Sequence, residues 1–223
     1  MESNLPNITR QSGAAGKENL ALRESSGAFE SFPAPLWYSQ QLKWILEPET
    51  SDSVAYNFPI FLRIDGRLDP QILELALQEL IRRHQVFRSN FHVSDGVQTQ
   101  TIAPAGNLRL RKIDLSELES DARESLAHAA AKEEANRAFD LRFDLLLRST
   151  LVQLTLDDHV LLLLTHHAIC DDWSAKILFD ELFELYSAYA LGKTSPLPCL
   201  SSSYREFALQ LSSRMRNGNF EVP

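Results

Sequence analysis

The sequence predicts an α/β fold, an α+β two-layer sandwich with helices packed on a mostly antiparallel, mixed sheet. Three observations carry this. Runs of strand type alternate with amphipathic helical runs along most of the chain. Two pairs of strand-type runs are joined by tight turn sequences, Ser94-Asp95-Gly96 and Asp157-Asp158, which makes them antiparallel neighbours. No glycine-rich phosphate loop is present to support a doubly wound nucleotide fold.

The elements follow in order. Met1 to about Ala28 is rich in Ser, Gly, Asn and mixed charge without any period, and reads as a disordered tail. Order is expected from Phe29. Leu36 to Ile45 reads as a short helix entered through Pro33 and Pro35. Tyr56 to Ile64 alternates as a strand does. Asp69-Pro70 is a helix start, a cap followed by proline at the first helical position. Ile72, Leu73, Ala76, Leu77 and Leu80 then mark a buried face to about Arg83. Val86 to Val93 and Val97 to Ile102 read as a hairpin, and Leu108 to Ile113 as a further strand. Ser116 with Glu119 has the capping-box spacing and opens an alanine-rich helix to about Ala138. Leu145 to Leu156 and His159 to Thr165 read as central strands. A helix runs from about Trp173 to Leu191, with Ile177, Leu178, Leu182, Leu185, Tyr186 and Tyr189 as its stripe and Gly192 as its stop. Trp173 is also assigned to the core. A Pro- and Ser-rich loop, Thr194 to Ser203, leads to a last helix from Tyr204 to Met215.

Composition narrows the function classes. The 223 residues suffice for one good-sized core, and 44% hydrophobic with 23% charged residues is ordinary for a soluble protein. A net charge of -8 argues against general nucleic-acid binding, which needs a basic footprint. The longest apolar runs are too short to span a bilayer, and the N-terminus lacks the apolar core of a signal peptide. Two cysteines, Cys170 and Cys199, without metal-type spacing point to a reducing, cytoplasmic setting.

The chemistry concentrates in Thr165-His166-His167-Ala168-Ile169-Cys170-Asp171-Asp172-Trp173-Ser174. A strand sends successive side chains to opposite faces, so His166 and His167 cannot both enter one pocket while strand geometry lasts. One is expected in a cleft and the other in the packed interior. That suits a single base with a structural neighbour better than a two-histidine metal site, for which no further ligand has convincing spacing. From the residues alone, the reading that both histidines are satisfied core residues stays open. Asp171 or Asp172 reads as a cap of the following helix. Ser174 and the first helical N–H groups are candidates for stabilising an oxyanion, and Ser174 is equally a candidate cap.

The motif resembles the core motif of condensation domains of nonribosomal peptide synthetases, which ends His-His-x-x-x-Asp-Gly. Other segments resemble that family in order: Leu36-Trp37-Tyr38 with Gln40-Gln41-Leu42, Tyr56-Asn57-x-Pro59, Gly66-x-Leu68-Asp69, Arg83-His84-x-x-x-Arg88-x-x-Phe91, and Tyr204-Arg205-Glu206-Phe207-Ala208. The resemblance implies a chloramphenicol acetyltransferase-like fold of two lobes, of which residues 29–215 are the N-terminal one, with 216–223 a tail where the second would begin. It implies amide formation between acyl and aminoacyl thioesters, tethered through phosphopantetheine arms to carrier proteins, with no cofactor or metal bound directly. His167 takes the catalytic position, with His166, Asp171, Asp172, Arg88 and Ser174 in support, and Arg88 as the ion-pair partner of Asp171. The expected partners are carrier proteins and a second lobe or another copy of the chain.

The sequence departs from the family at Asp172, where the motif has glycine, and at Pro33 and Pro35, where Gln and Arg are usual. Aspartate adds bulk and negative charge near the base. With one lobe, the chain is read as a fragment, as half of a split site, or as an oligomer with sites between protomers. Two other functions remain beside amide formation: ester formation by an acyltransferase with the same motif, and a non-catalytic module that binds a carrier protein or a lobe. Epimerisation also keeps both histidines, whereas the two aspartates of heterocyclisation are absent.

Overall fold

Strand β7 (Asp158–His166) organises the molecule. The computed structural model describes residues 34–35, 54–94 and 97–216. The expected N-terminal tail, the helix over 36–45 and the tip of the first hairpin lie outside them. Strand β7 sits inside a four-stranded sheet ordered β2 (Asn57–Asp65), β7, β6 (Leu147–Thr155), β5 (Leu110–Asp114). It pairs antiparallel with both neighbours, Asn57 opposite His166 on one side and Leu147 opposite Thr165 on the other. β5 and β6 run parallel, and the chain between them forms helix α2 (Ser120–Ala135), a crossover unit. Pro59 is tolerated because β2 is an edge strand. A second sheet contains β1 (Ala34–Pro35), β4 (Val97–Ile102) and β3 (Ser89–Ser94), with β4 in the middle.

Both faces of β7 are buried, which explains the unbroken Val160 to Leu164 run. Leu161 and Leu163 pack into a large cluster with Leu147 and Leu151 of β6, Leu77 and Leu80 of α1 (Pro70–Arg83), and Leu178, Leu182 and Leu185 of α3 (Asp172–Ala190). Leu162 faces the other way and joins Val152, Leu154 and Ala127 of α2. The α/β class and mostly antiparallel strands are as expected; α2 adds a helical layer on the second face of the sheet.

Local chemistry sets the helix starts. Asp69 Oδ1 accepts the N–H groups of Gln71 and Ile72 at 2.8 and 3.4 Å, with Pro70 at the first helical position. Gly192, at φ 67°, ends α3 in the left-handed region, and its N–H reaches the Tyr189 carbonyl. The last helix, α4, spans Tyr204–Arg216. No described helix is long and apolar enough to cross a membrane.

Several expectations need correction. Gln85–Arg88 is a 3-10 turn and the strand begins at Ser89, because the Arg88 guanidinium turns back to the carbonyls of Ile81, Arg82 and Ala103. Ser116 does not cap α2. Its hydroxyl donates to Asp114 Oδ1 at 2.6 Å, and the helix starts at Ser120 with no side-chain cap. On α3 the buried face is Ala175, Leu178, Leu182, Leu185 and Ala188. Ile177 lies one residue off that face, about 100° round the helix, and is 44% exposed. Trp173, assigned to the core, is 77% exposed.

These burials predict unequal substitutions. Leu182→Ala should lower stability by about 2–5 kcal/mol, whereas Ile177→Ala should change it by no more than about 0.5 kcal/mol. Urea unfolding midpoints of the two variants measure both.

Candidate functional site

The site forms where β7 leaves the sheet. His166 is the last strand residue, and its carbonyl accepts the N–H groups of Ile169 and Cys170 at 3.0 and 3.1 Å, closing a turn over the motif. The N–H of His167 still donates to the Tyr56 carbonyl at 2.8 Å, so the edge strand holds the first residue beyond β7. Two successive residues are thus fixed by backbone bonds, and their rings diverge.

The His166 ring is buried, at 2% exposure. Its Nδ1 accepts the Ala168 N–H at 3.1 Å. Phe139 meets the ring edge-on at a centroid distance of 6.2 Å, and Tyr56 lies tilted at 6.1 Å. A ring whose Nδ1 accepts a backbone N–H carries its proton on Nε2. His167 is half-buried against Phe58, with ring centroids 4.6 Å apart. Its Nδ1 lies 3.3 Å from the Cys170 carbonyl oxygen. A carbonyl only accepts, so this contact assigns the proton to Nδ1 and leaves the basic lone pair of the neutral ring on Nε2. Neighbouring histidines therefore hold opposite tautomers.

Asp171 caps α3: its Oδ1 accepts the Ser174 N–H at 2.8 Å and the Ser174 hydroxyl at 2.7 Å. Ser174 therefore spends both groups on that carboxylate, which removes it as an oxyanion donor. The expected ion pair between Arg88 and Asp171 is not formed, because Arg88 is committed to three backbone carbonyls. Asp172 is exposed in the first turn of α3, where a negative charge suits the helix start. Cys170 is buried, and burial, reinforced by the Asp171 charge, pushes its thiol up to about 12. It is protonated and unreactive at neutral pH. Among the described residues, no group of three or more His, Cys, Asp or Glu side chains is placed to hold a metal ion.

Sequence reasoning missed the support behind His166. The Arg148 guanidinium lies over Phe139 at 4.0 Å, donates to the Arg137 and Ala138 carbonyls, and pairs with Asp144 at 2.8 Å. Burial pulls its pKa below the usual arginine range. Asn57 Nδ2 donates to the Ala135 and Arg137 carbonyls, tying the end of α2 to β2. An arginine inside an apolar strand was the one available signal. The remaining histidines stand apart from the motif: His84 bonds Glu181 at 2.6 Å, His92 bonds Thr101, His128 is exposed and His159 is buried.

Residues 33–221 match the family model described as "Condensation domain". The chain belongs to the condensation-domain family. It is 41% identical over 177 residues to a linear gramicidin synthase of Brevibacillus parabrevis, covering 79% of this chain and 4% of that protein. Among solved structures it resembles the starter condensation domain of rhizomide synthetase (TM-score 0.74, 22% identity, 83% of this chain and 46% of that one). It also resembles the X-domain in a complex with OxyB from teicoplanin biosynthesis (TM-score 0.69, 28% identity, 84% and 40%). This condensation-domain chain thus spans less than half of those two solved chains and a small fraction of that synthase.

The contrast between the two cysteines is measurable. In the folded chain near pH 8, exposed Cys199 should react with iodoacetamide, and Cys170 should react only after denaturant is added. Mass spectrometry of the labelled peptides reads the order.

Proposed function

We propose that this chain is the N-terminal lobe of a condensation domain that forms an amide bond between carrier-bound thioesters, with His167 as the residue that handles the amine proton. The family membership supplies the reaction class. The observation that carries the assignment is the His167 tautomer, with Nδ1 tied to the Cys170 carbonyl and the basic lone pair on Nε2 of a half-buried ring.

The chemistry asks little more of the chain. The acceptor amine attacks the donor thioester carbonyl, a C–N bond forms, and the C–S bond breaks with the thiolate leaving on its arm. The amine proton passes to His167 Nε2 or is oriented by it. Positioning two arms supplies up to about 7–11 kcal/mol, and a histidine base adds about 10²–10⁴-fold. A covalent acyl-enzyme finds no support here, because the Cys170 thiol is protonated and buried and the Ser174 hydroxyl donates to Asp171. Phosphopantetheine arms enter as substrate tethers, carrier proteins as partners, and a second lobe as the other wall of the channel.

A second reading, a non-catalytic binding module, is favoured by two observations. Asp172 stands where the motif has glycine, and the X-domain neighbour occurs in a complex with OxyB.

The test uses the chain joined to a second lobe and two loaded carrier proteins, with product amide measured by mass spectrometry. His167→Ala should lower turnover by about 10²–10⁴-fold with an unchanged unfolding midpoint. Equal turnover in the variant overturns the catalytic role. Carrier-protein binding by an inactive parent chain establishes the module instead.

A further inference from the structure

A cavity of about 350 Å³ opens between the end of α2, the loop before β5 and the start of β6. Its charged lining comprises Arg109, Arg111, Arg137 and Arg148 against Glu134 and Asp144. In a chain of net charge -8, this is a local reversal of sign.

The pairing inside the cavity is incomplete. Glu134, with its side chain 4% exposed, serves two guanidiniums at once, Arg111 at 3.3 Å and Arg137 at 3.2 Å. Asp144 serves Arg148 at 2.8 Å. Glu133, outside the lining, pairs with Arg111 from the exposed side at 3.8 Å. The Arg109 side chain has no hydrogen bond or ion pair among the described residues. Four guanidiniums face two carboxylates within the lining, and with Glu133 counted at its rim the excess is one positive charge. Arg148 is answered by Asp144, by the Arg137 and Ala138 carbonyls and by the Phe139 face, so the unmet charge lies at Arg109. The Arg111 and Arg137 side chains are 45% and 59% exposed and Arg109 is exposed, so an anion from solvent has access to them.

We propose that this cavity is a binding site for a phosphoryl group. A phosphate offers several oxygens at once to Arg109 and the neighbouring guanidiniums, whereas a single carboxylate offers two. Planar guanidiniums with several N–H donors suit tetrahedral phosphate oxygens. Glu134 holds Arg111 and Arg137 together in advance, which lowers the ordering cost of binding. The ligand is either free phosphate or the phosphoryl end of a larger molecule. The site is separate from the motif and needs no turnover to be observed, although Arg148 in its wall reaches His166 through Phe139.

Calorimetry and thermal unfolding of the 223-residue chain test this, with inorganic phosphate, glycerol phosphate and succinate as probes and potassium chloride at matched ionic strength as control. Phosphate should bind saturably, one per chain, and raise the unfolding temperature. Arg109→Ala and Arg111→Gln should each weaken binding by roughly tenfold or more. Arg109→Ala should leave the unliganded unfolding temperature unchanged, which separates a lost ligand contact from a lost fold. Binding of the inorganic ion alone identifies free phosphate as the ligand, and binding of glycerol phosphate as well identifies a phosphoryl terminus. No saturable response beyond the chloride control, an equal response in both variants, or succinate binding as tightly as phosphate would overturn the proposal.

Discussion

The site depends on one constraint: β7 is buried on both faces, paired with β2 through its last residue and with β6 through Thr165. Leu161, Leu162 and Leu163 anchor it in two separate clusters. Tyr56 extends the grip one residue past the strand through the His167 N–H. A strand held this firmly cannot rotate at its exit, so two adjacent imidazoles are divided between a buried and a half-buried setting. The turn accepted by the His166 carbonyl and the cap supplied by Asp171 follow from that fixed exit.

The opposite tautomers of the two rings are the chemical consequence. His166 accepts a backbone N–H through Nδ1, while His167 Nδ1 faces a carbonyl. Backbone groups thus decide where the ring protons sit. Around them, potential competitors are silenced by ordinary means. Cys170 is buried and protonated, and Ser174 is absorbed by the helix cap. The motif's conspicuous polar residues are largely structural, and the proposed base is one ring nitrogen.

Arg148 shows how a buried cation supports both the fold and the site. It satisfies two carbonyls beyond the end of α2, pairs with Asp144 and covers Phe139, whose edge meets His166. Such a group stays charged in a partly buried place only because every side of it is answered by an oxygen or a π face. The same residue forms a wall of the basic cavity, so the sheet end that carries the motif also carries a local cluster of arginines in an acidic chain.

Much of the fold was legible because the signals were local. Asp69-Pro70 announced α1, the alternation from Tyr56 announced β2, and the apolar run before His166 announced a buried strand. The two-histidine spacing on a strand foretold divergent rings. What stayed hidden required partners distant in sequence. Val86 and Phe87 have strand-like side chains, yet the reach of Arg88 to Ile81 and Ala103 makes that segment a 3-10 turn. Ser116 had a capping spacing, but Asp114 claimed its hydroxyl. Trp173, assigned to the core, lies outside because the face of α3 is set by what it packs on. The sequence by itself determined the order of the main strands and helices from β2 to α4, the motif and the family. Only the tertiary structure decided which atoms carry the protons, which helix face is buried and where charges gather, because each depends on groups brought together by packing across the sheet.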